Sequence, residues 1–266
     1  MTHCSEKILL FIPVYNCASQ ITRVLKQIDN ELCQYITKII IVDNGSTDKT
    51  LDEVSIYIKN HHELKIEILR NAENYNLGGS HKVAFQYALQ KEFDFVIVLH
   101  GDDQGDIRDL LPLLKNGQHR RHDCMLGARF MLGSKLQGYS KFRTFGNIIF
   151  NVLFMILLMK PIYDLGSGLN IYKVKMLHGY WWKKFPDSLT FNYCMIMASH
   201  YFKHDCTFFP ITWREDDQVS NVKLVSQAIN VLKMLVKYRI LGGAYLLSDL
   251  RFKAFLNYDY EALEEE

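Results

Sequence analysis

The densest run of chemically capable residues in this 266-residue chain is His100-Gly101-Asp102-Asp103-Gln104-Gly105-Asp106. Three carboxylates this close repel one another unless a cation or water relieves them. Hard divalent cations take oxygen ligands, and Mg2+ commonly holds one or two carboxylates plus substrate phosphates. The competing reading is an acidic turn that caps a helix starting near Asp106. A second cluster, Asp43-Asn44-Gly45-Ser46-Thr47-Asp48, sets a carboxylate beside turn and N-cap residues. Its Asn44-Gly45-Ser46 matches a glycosylation acceptor, read here as an accident of a turn. Arg129, Arg143 and Arg214 carry guanidinium groups suited to bidentate phosphate recognition, with local ion pairs as the plainer use. Neither GxGxxG nor GxxxxGK[ST] occurs, so a bound diphosphate must be neutralised by something other than a glycine-rich loop. His200 and His204 lack the HExxH glutamate, while His119, His122 and Cys124 fall in a basic loop and read as solvated. Trp181-Trp182 reads as core or subunit contact, with a sugar or a membrane interface as the alternative.

The elements that must position these residues follow from periodicity. Unbroken apolar runs at 8–13, 38–43, 65–70 and 93–99 alternate with helical patterns at 19–32, 47–61 and 78–90. This predicts an α/β fold with a parallel sheet covered by helices on both faces. Ligands of such sheets bind beyond the carboxyl ends of the strands, here at 13–16, 43–48, 71–80 and 100–106. Further along, strands are expected at 124–129, 170–173 and 206–213, and helices at 140–159 and 190–203. Residues 222–238 predict an amphipathic helix with Val225, Ile229, Leu232 and Val236 on one side. The division expected is one domain over 1–221 and a C-terminal amphipathic helical appendage over 222–266.

Composition narrows the class. With 48% hydrophobic and 23% charged residues the chain can build a sizeable core. Its 31 basic and 29 acidic residues give a net charge of +2, so no global basic field suggests a nucleic-acid partner. Six scattered cysteines without a CxxC pair argue against disulfides or structural zinc and for a reducing, cytoplasmic setting. The N-terminus lacks a signal-peptide pattern. The most apolar stretch, between Arg143 and Lys160, has 16 intervening residues. As a helix it reaches about 24 Å against a hydrocarbon core of about 30 Å, so it is not expected to span a membrane.

Four ordered motifs resemble glycosyltransferase family 2 over about residues 7–225. They are Ile12-Pro13-Val14-Tyr15-Asn16, Val42-Asp43-Asn44-Gly45-Ser46-Thr47-Asp48, Asn74-x-Asn76-x-Gly78 and the acidic run after residue 99. That family has the GT-A fold, a Rossmann-like, mostly parallel sheet with helices on both faces. Within it, Gly127-Ala128-Arg129-Phe130, Arg143, Asp164-x-x-Ser167-Gly168 and Arg214 followed by Ser220 and Lys223 are most similar to polyprenyl- and dolichol-phosphate sugar synthases. The resemblance implies inverting, metal-dependent transfer of a sugar from a UDP- or GDP-sugar to a lipid-linked acceptor of the polyprenyl-phosphate type.

It also implies roles. Pro13, Tyr15 and Asn16 line the nucleobase pocket, Asp43 contacts base or ribose, and Gly78, His100 and Gly101 complete the donor site. Asp102 and Gln104 hold Mg2+ or Mn2+. His100 stands where the family has its first acid, as a ring-nitrogen ligand or a ribose contact. Arg129, Arg143 and Arg214 hold the acceptor phosphate, and Ser220 and Lys223 lie on the acceptor side. Two positions depart from the family: Asn16 replaces the usual Glu, and Arg214-Glu215-Asp216-Asp217-Gln218-Val219-Ser220 is longer and more acidic than Arg-x-x-Gly-x-Ser. Two rivals stay open: a sugar-hydroxyl acceptor with Asp164 as general base, and a non-catalytic nucleotide-sugar-binding scaffold. A lipid acceptor implies peripheral attachment at the cytosolic face of a membrane. Apolar helix faces would meet acyl chains there, and Lys141, Arg143, Lys160, Lys233, Lys237 and Arg239 the headgroups. A second copy of the chain or a membrane-anchoring partner is the other cover for those faces.

Overall fold

A computed structural model describes residues 6–215, 217 and 224–263, the side chains of 224–227 excepted. The four unbroken apolar runs form β1 (Ile8–Val14), β2 (Lys38–Asp43), β3 (Ile66–Asn71) and β4 (Phe95–Leu99), parallel and ordered β3-β2-β1-β4. Between them lie α1 (Ala18–Lys26), α2 (Asn30–Cys33), α3 (Thr50–Lys59) and α4 (Asn76–Gln90). The single helix expected over 19–32 is thus two. Asp29 adopts an extended conformation and its carboxylate accepts from the N–H groups of Glu31 and Leu32, which restarts the helix as α2.

The second half adds α5 (Leu111–Lys115), β5 (Cys124–Ala128), β6 (Lys135–Gln137), α6 (Lys141–Leu158), β7 (Leu169–Lys173), α7 (Phe191–Tyr201), β8 (Cys206–Pro210) and β9 (Thr212–Arg214). It closes with α8 (Leu224–Leu241), α9 (Gly243–Leu247) and β10 (Tyr260–Leu263). The main sheet runs β10-β3-β2-β1-β4-β7-β5-β8. β7 is antiparallel to both β4 and β5, with Leu99 opposite Leu169, so it begins where they end. That reversal brings the residues just after β5 and just before β7 to the sheet edge where β1 and β4 finish. The chain changes winding direction between β1 and β4, the point at which such sheets leave a crevice.

The strand runs do not alternate because both faces are buried. Leu9, Phe11, Val96 and Val98 pack beneath α4 and α6–α9, while Ile8, Leu10, Ile12 and Ile97 pack against α1, α3 and α5. Each such fully buried side chain contributes about 1.5–3 kcal/mol.

Several expectations change. The strand expected over 206–213 splits into β8 and β9, and β9 leaves the main sheet to pair with β6. Cys124 and Cys206 form a disulfide, against the cysteine reading; they are 82 residues apart but share a register position of β5 and β8, with Cα atoms 4.8 Å apart. His119 is buried, not solvated, with its Nε2 3.1 Å from Glu6. The C-terminal segment is more than a helical appendage, because β10 extends the main sheet antiparallel to β3 and Tyr258 is buried. Lys82, fully buried, donates from Nζ to Asp187 Oδ1, the Phe185 carbonyl and the Tyr258 hydroxyl, tying α4 to that segment.

The apolar helices also differ from expectation. α6 has 18 residues with mean hydropathy 1.4, and among the described residues it is the one helix long and apolar enough to cross a membrane. It starts two residues before Arg143, which the sequence estimate did not count. Phe145 and Ile156 along it and Met159 just past its end are exposed. On α8 Val231, Met234 and Leu235 are buried, whereas Ile229, Leu232 and Val236, on the side the sequence marked as apolar, are exposed, as is Ile240.

Candidate active site

A cavity of about 810 Å³ opens at the crevice between β1 and β4. The exits of β1 and β4 supply Pro13, Tyr15, Asn16, His100, Gly101, Asp102 and Gln104, while Arg129 follows β5, Arg143 lies in α6, Trp213 in β9 and Glu215 just after it. Most of the residues singled out in the sequence therefore meet. Asp43, Gly78, Asp164 and Arg214 do not line this cavity; they stand behind it and hold its walls. Ser220 and Lys223 lie outside the described residues.

The three carboxylates of the acidic run separate completely. Asp106 caps the following turn, accepting from Arg108 N and pairing with the Arg108 side chain. Asp103 is buried and accepts from Arg23 Nε at 2.7 Å, Gln27 Nε2 at 2.8 Å and Arg214 Nη2 at 3.0 Å. Only Asp102 faces the cavity. Burial pushes its carboxyl up to about 6, with the Gln104 backbone N–H opposing. A cation at the cavity would offset that desolvation.

His100 sits beside it. Its backbone N–H donates to Gly168 O, and a β-carbon at Gly168 would come within 2.8 Å of its ring, so glycine there is required by close approach. Burial, with Arg129 nearby, holds the imidazole down to about 4, so it is neutral near pH 7. His100 Nε2 is buried and has no hydrogen-bond partner. One carboxylate, one neutral imidazole nitrogen and the Gln104 amide oxygen are donor types suited to a divalent ion that takes its remaining ligands from a substrate. Among the described residues no group of three or more His, Cys, Asp or Glu side chains is placed to hold a metal on its own. Phosphate oxygens completing the shell is the usual arrangement for Mg2+.

The neighbouring exits are knitted together. Asn16 has a left-handed backbone (φ 49°), and its Oδ1 accepts from Thr47 N while its N–H donates to Ser46 Oγ. Asp43 is fully buried; Oδ1 accepts from Ser46 N and Oδ2 lies 3.6 Å from Arg70 Nε. Asn44 accepts from Asn71 Nδ2 and Tyr75 N and donates to Asn74 Oδ1. Buried and fully engaged, it is no glycosylation acceptor. The Asn74–Asn76 motif is thus scaffolding for the turn into α4. Gly78 packs against the chain at residues 186–187, where a β-carbon would lie 2.6 Å from Pro186 O, and it is Leu77 that reaches the cavity.

The arginines are arranged by acids. Asp164 is buried and binds Arg129 through Nε–Oδ2 and Nη2–Oδ1 bonds of 2.8 Å each, and it also accepts from Arg129 N and Gly166 N. That pairing holds the Arg129 guanidinium above its ordinary value despite burial. The Arg129 guanidinium lies 4.8 Å from the Trp213 ring. Arg143, in the first turn of α6, donates from Nη1 to both oxygens of Glu215, and Ser140 caps that turn. Arg143, Gly146, Asn147 and Phe150 recur at helical spacing and all line the cavity. Sequence reasoning missed Tyr139, Asn147, Trp213 and Glu215. The polar Arg143–Asn147 pair inside an apolar helix was the one signal available; the other two connections carry none.

The profile described as glycosyl transferase family 2 matches residues 10–181. A dolichol-phosphate mannosyltransferase from Pyrococcus furiosus is 24% identical over 140 residues, 52% of this chain and 37% of that protein. The chain therefore spans little more than a third of that relative's length. Glucosyl-3-phosphoglycerate synthase from Mycobacterium tuberculosis, solved with phosphoglyceric acid, superposes with TM-score 0.60 at 12% identity, over 88% of this chain and 80% of that one. The same enzyme solved with Mn2+, UDP-glucose and phosphoglyceric acid gives 0.59 at 12% identity, over 88% and 79%. At such identity the structural likeness speaks for the GT-A fold alone. Because that profile covers well over half of the sequence, the chain belongs to glycosyl transferase family 2.

Proposed function

We propose that this glycosyltransferase moves a sugar, with inversion, from a UDP- or GDP-sugar to a polyprenyl-phosphate-type acceptor at a membrane surface on its cytosolic side. The observation that carries the reading is the state of Asp164. Both of its oxygens are engaged by Arg129 behind the cavity wall, so it is poorly placed to take a proton from a sugar hydroxyl. A phosphate oxygen is already anionic and needs no base.

In this reading Pro13, Tyr15 and Asn16 hold the nucleotide end of the donor. Asp102, Gln104 and His100 hold Mg2+ or Mn2+, which when bound stabilises negative charge on the departing diphosphate. Arg143 and Arg129 attract the acceptor phosphate. Its oxygen bonds the anomeric carbon from the side opposite the diphosphate, the bond to the diphosphate oxygen breaks, and no proton is transferred. Arg214, committed to Asp103, ties the end of β9 to the acidic run rather than touching substrate. The relative and the Mn2+-bound neighbour support donor and metal classes of this kind. Exposed apolar residues along α6 and α8, whose inner sides reach the cavity, support acceptor delivery from lipid. Arg143 and Asn147 on the cavity side of α6 favour a helix lying in the interface over one crossing the bilayer.

The test is a panel of UDP- and GDP-sugars with Mn2+ or Mg2+, offered a short polyprenyl phosphate or the matching alcohol. Metal-dependent release of nucleoside diphosphate with the phosphate alone, lost in Asp102→Ala, is expected. Transfer to the alcohol at equal rate, or full activity of Asp102→Ala, would overturn the proposal.

A further inference from the structure

Three arginine–carboxylate pairs surround the cavity, and one differs in where its acid sits. The partners of Arg129 and Arg214, Asp164 and Asp103, lie behind the wall. Glu215 lines the cavity together with Arg143. Its two oxygens accept from Arg143 Nη1 at 2.6 and 2.7 Å, and Oε1 also accepts from Gln104 Nε2 at 3.3 Å. The backbone delivers it there: Glu215 N donates to Gln137 O and Arg214 N to Gln104 O, so the β6–β9 ribbon holds the carboxylate over the site.

We infer that Glu215 is an internal anion occupying the place on Arg143 that the acceptor's phosphate takes, and that it thereby selects for anionic acceptors. This rests on the phosphate-acceptor reading above. A carboxylate brings one charge and two oxygens, whereas a phosphate monoester brings about −1.5 to −2 and three oxygens near pH 7. The phosphate therefore displaces Glu215 from Arg143. An uncharged hydroxyl offers the guanidinium nothing in exchange and leaves the pair closed. The other two arginines cannot discriminate in this way, because their acids are out of a ligand's reach. The greater acidity of this loop than the family pattern thus gains a purpose at Glu215.

The experiment is calorimetric titration of the full chain with citronellyl phosphate, citronellol and inorganic phosphate. The proteins are the wild type, Glu215→Gln, Arg143→Gln and the double variant, with thermal melting to verify folding. Glu215→Gln is expected to bind citronellyl phosphate up to about fivefold tighter, the factor by which a part-exposed ion pair competes. Inorganic phosphate should gain similarly, citronellol should not change, and both gains should vanish in the double variant. If Glu215→Gln binds citronellyl phosphate no tighter while Arg143→Gln binds it more weakly, the inference falls and the phosphate-acceptor reading survives. A gain for inorganic phosphate alone would place Glu215 at a free-phosphate site and also overturn it. If the wild type and Arg143→Gln bind citronellyl phosphate no better than citronellol, the phosphate-acceptor reading itself fails.

Discussion

Asp164→Asn separates the two roles open to this residue. The carboxylate is 2% exposed and accepts from Arg129 N at 2.9 Å, from Nε and Nη2 at 2.8 Å each, and from Gly166 N at 3.1 Å. Asparagine keeps the volume but removes the charge, and it turns an amide N–H2 toward a guanidinium that can only donate. Breaking a buried pair from one side costs about 3–5 kcal/mol, because the remaining charge stays desolvated. At about 2.1 cal/mol/K of unfolding entropy per residue, a chain of this size should lose roughly 5–9 °C in Tm. Arg129, freed from its fork, should also raise the KM for a phosphate acceptor more than it lowers kcat. The assays are a thermal melt and steady-state kinetics on the same preparation. A Tm within about 1 °C of wild type, together with a fall in kcat of about 100-fold or more at unchanged KM, would show a general base and refute the positioning role.

Two further predictions test other parts of the molecule. Asp249 accepts from Arg251 N, Nε and Nη2, and the Arg251 side chain holds its carboxyl down to about 2 from 3.8. An acid with a lowered folded value stabilises above its unfolded value and loses that contribution as pH falls toward the folded one. The pair is part-exposed, so Asp249→Asn should cost only about 0.5–1 kcal/mol at pH 7. That difference in urea midpoint should persist to about pH 5 and shrink by about pH 3, and a constant difference would count against the pair. Ile156 on α6 and Ile240 on α8 are 66% and 74% exposed. At about 1.5–3 kcal/mol per side chain buried in lipid, Ile156→Asp with Ile240→Asp should weaken flotation with anionic phospholipid vesicles at least about tenfold without moving Tm. Undiminished flotation would remove the membrane-facing role of these helices.

The sequence by itself determined the parallel half of the sheet and the location of the site. A strand buried on both faces must be a continuous apolar run, and the polar residues that end it are forced to the sheet edge, so the exits at Pro13, Asp43 and His100 could be read directly. The local turn chemistry was legible as well: Asp106 as a cap follows from its position just ahead of the next turn. What the sequence could not assign was the partner of each charge. Asp102, Asp103 and Asp106 are alike in type and neighbours in the chain, yet one meets the cavity, one meets Arg23 and Arg214, and one meets Arg108. The Cys124–Cys206 bond, the burial of His119, the outward apolar side of α8 and the hold of Asp164 on Arg129 were decided in the same way. Each depends on register or packing between segments far apart in sequence, and periodicity reports only which side of its own element a residue occupies, never what the rest of the chain brings to face it.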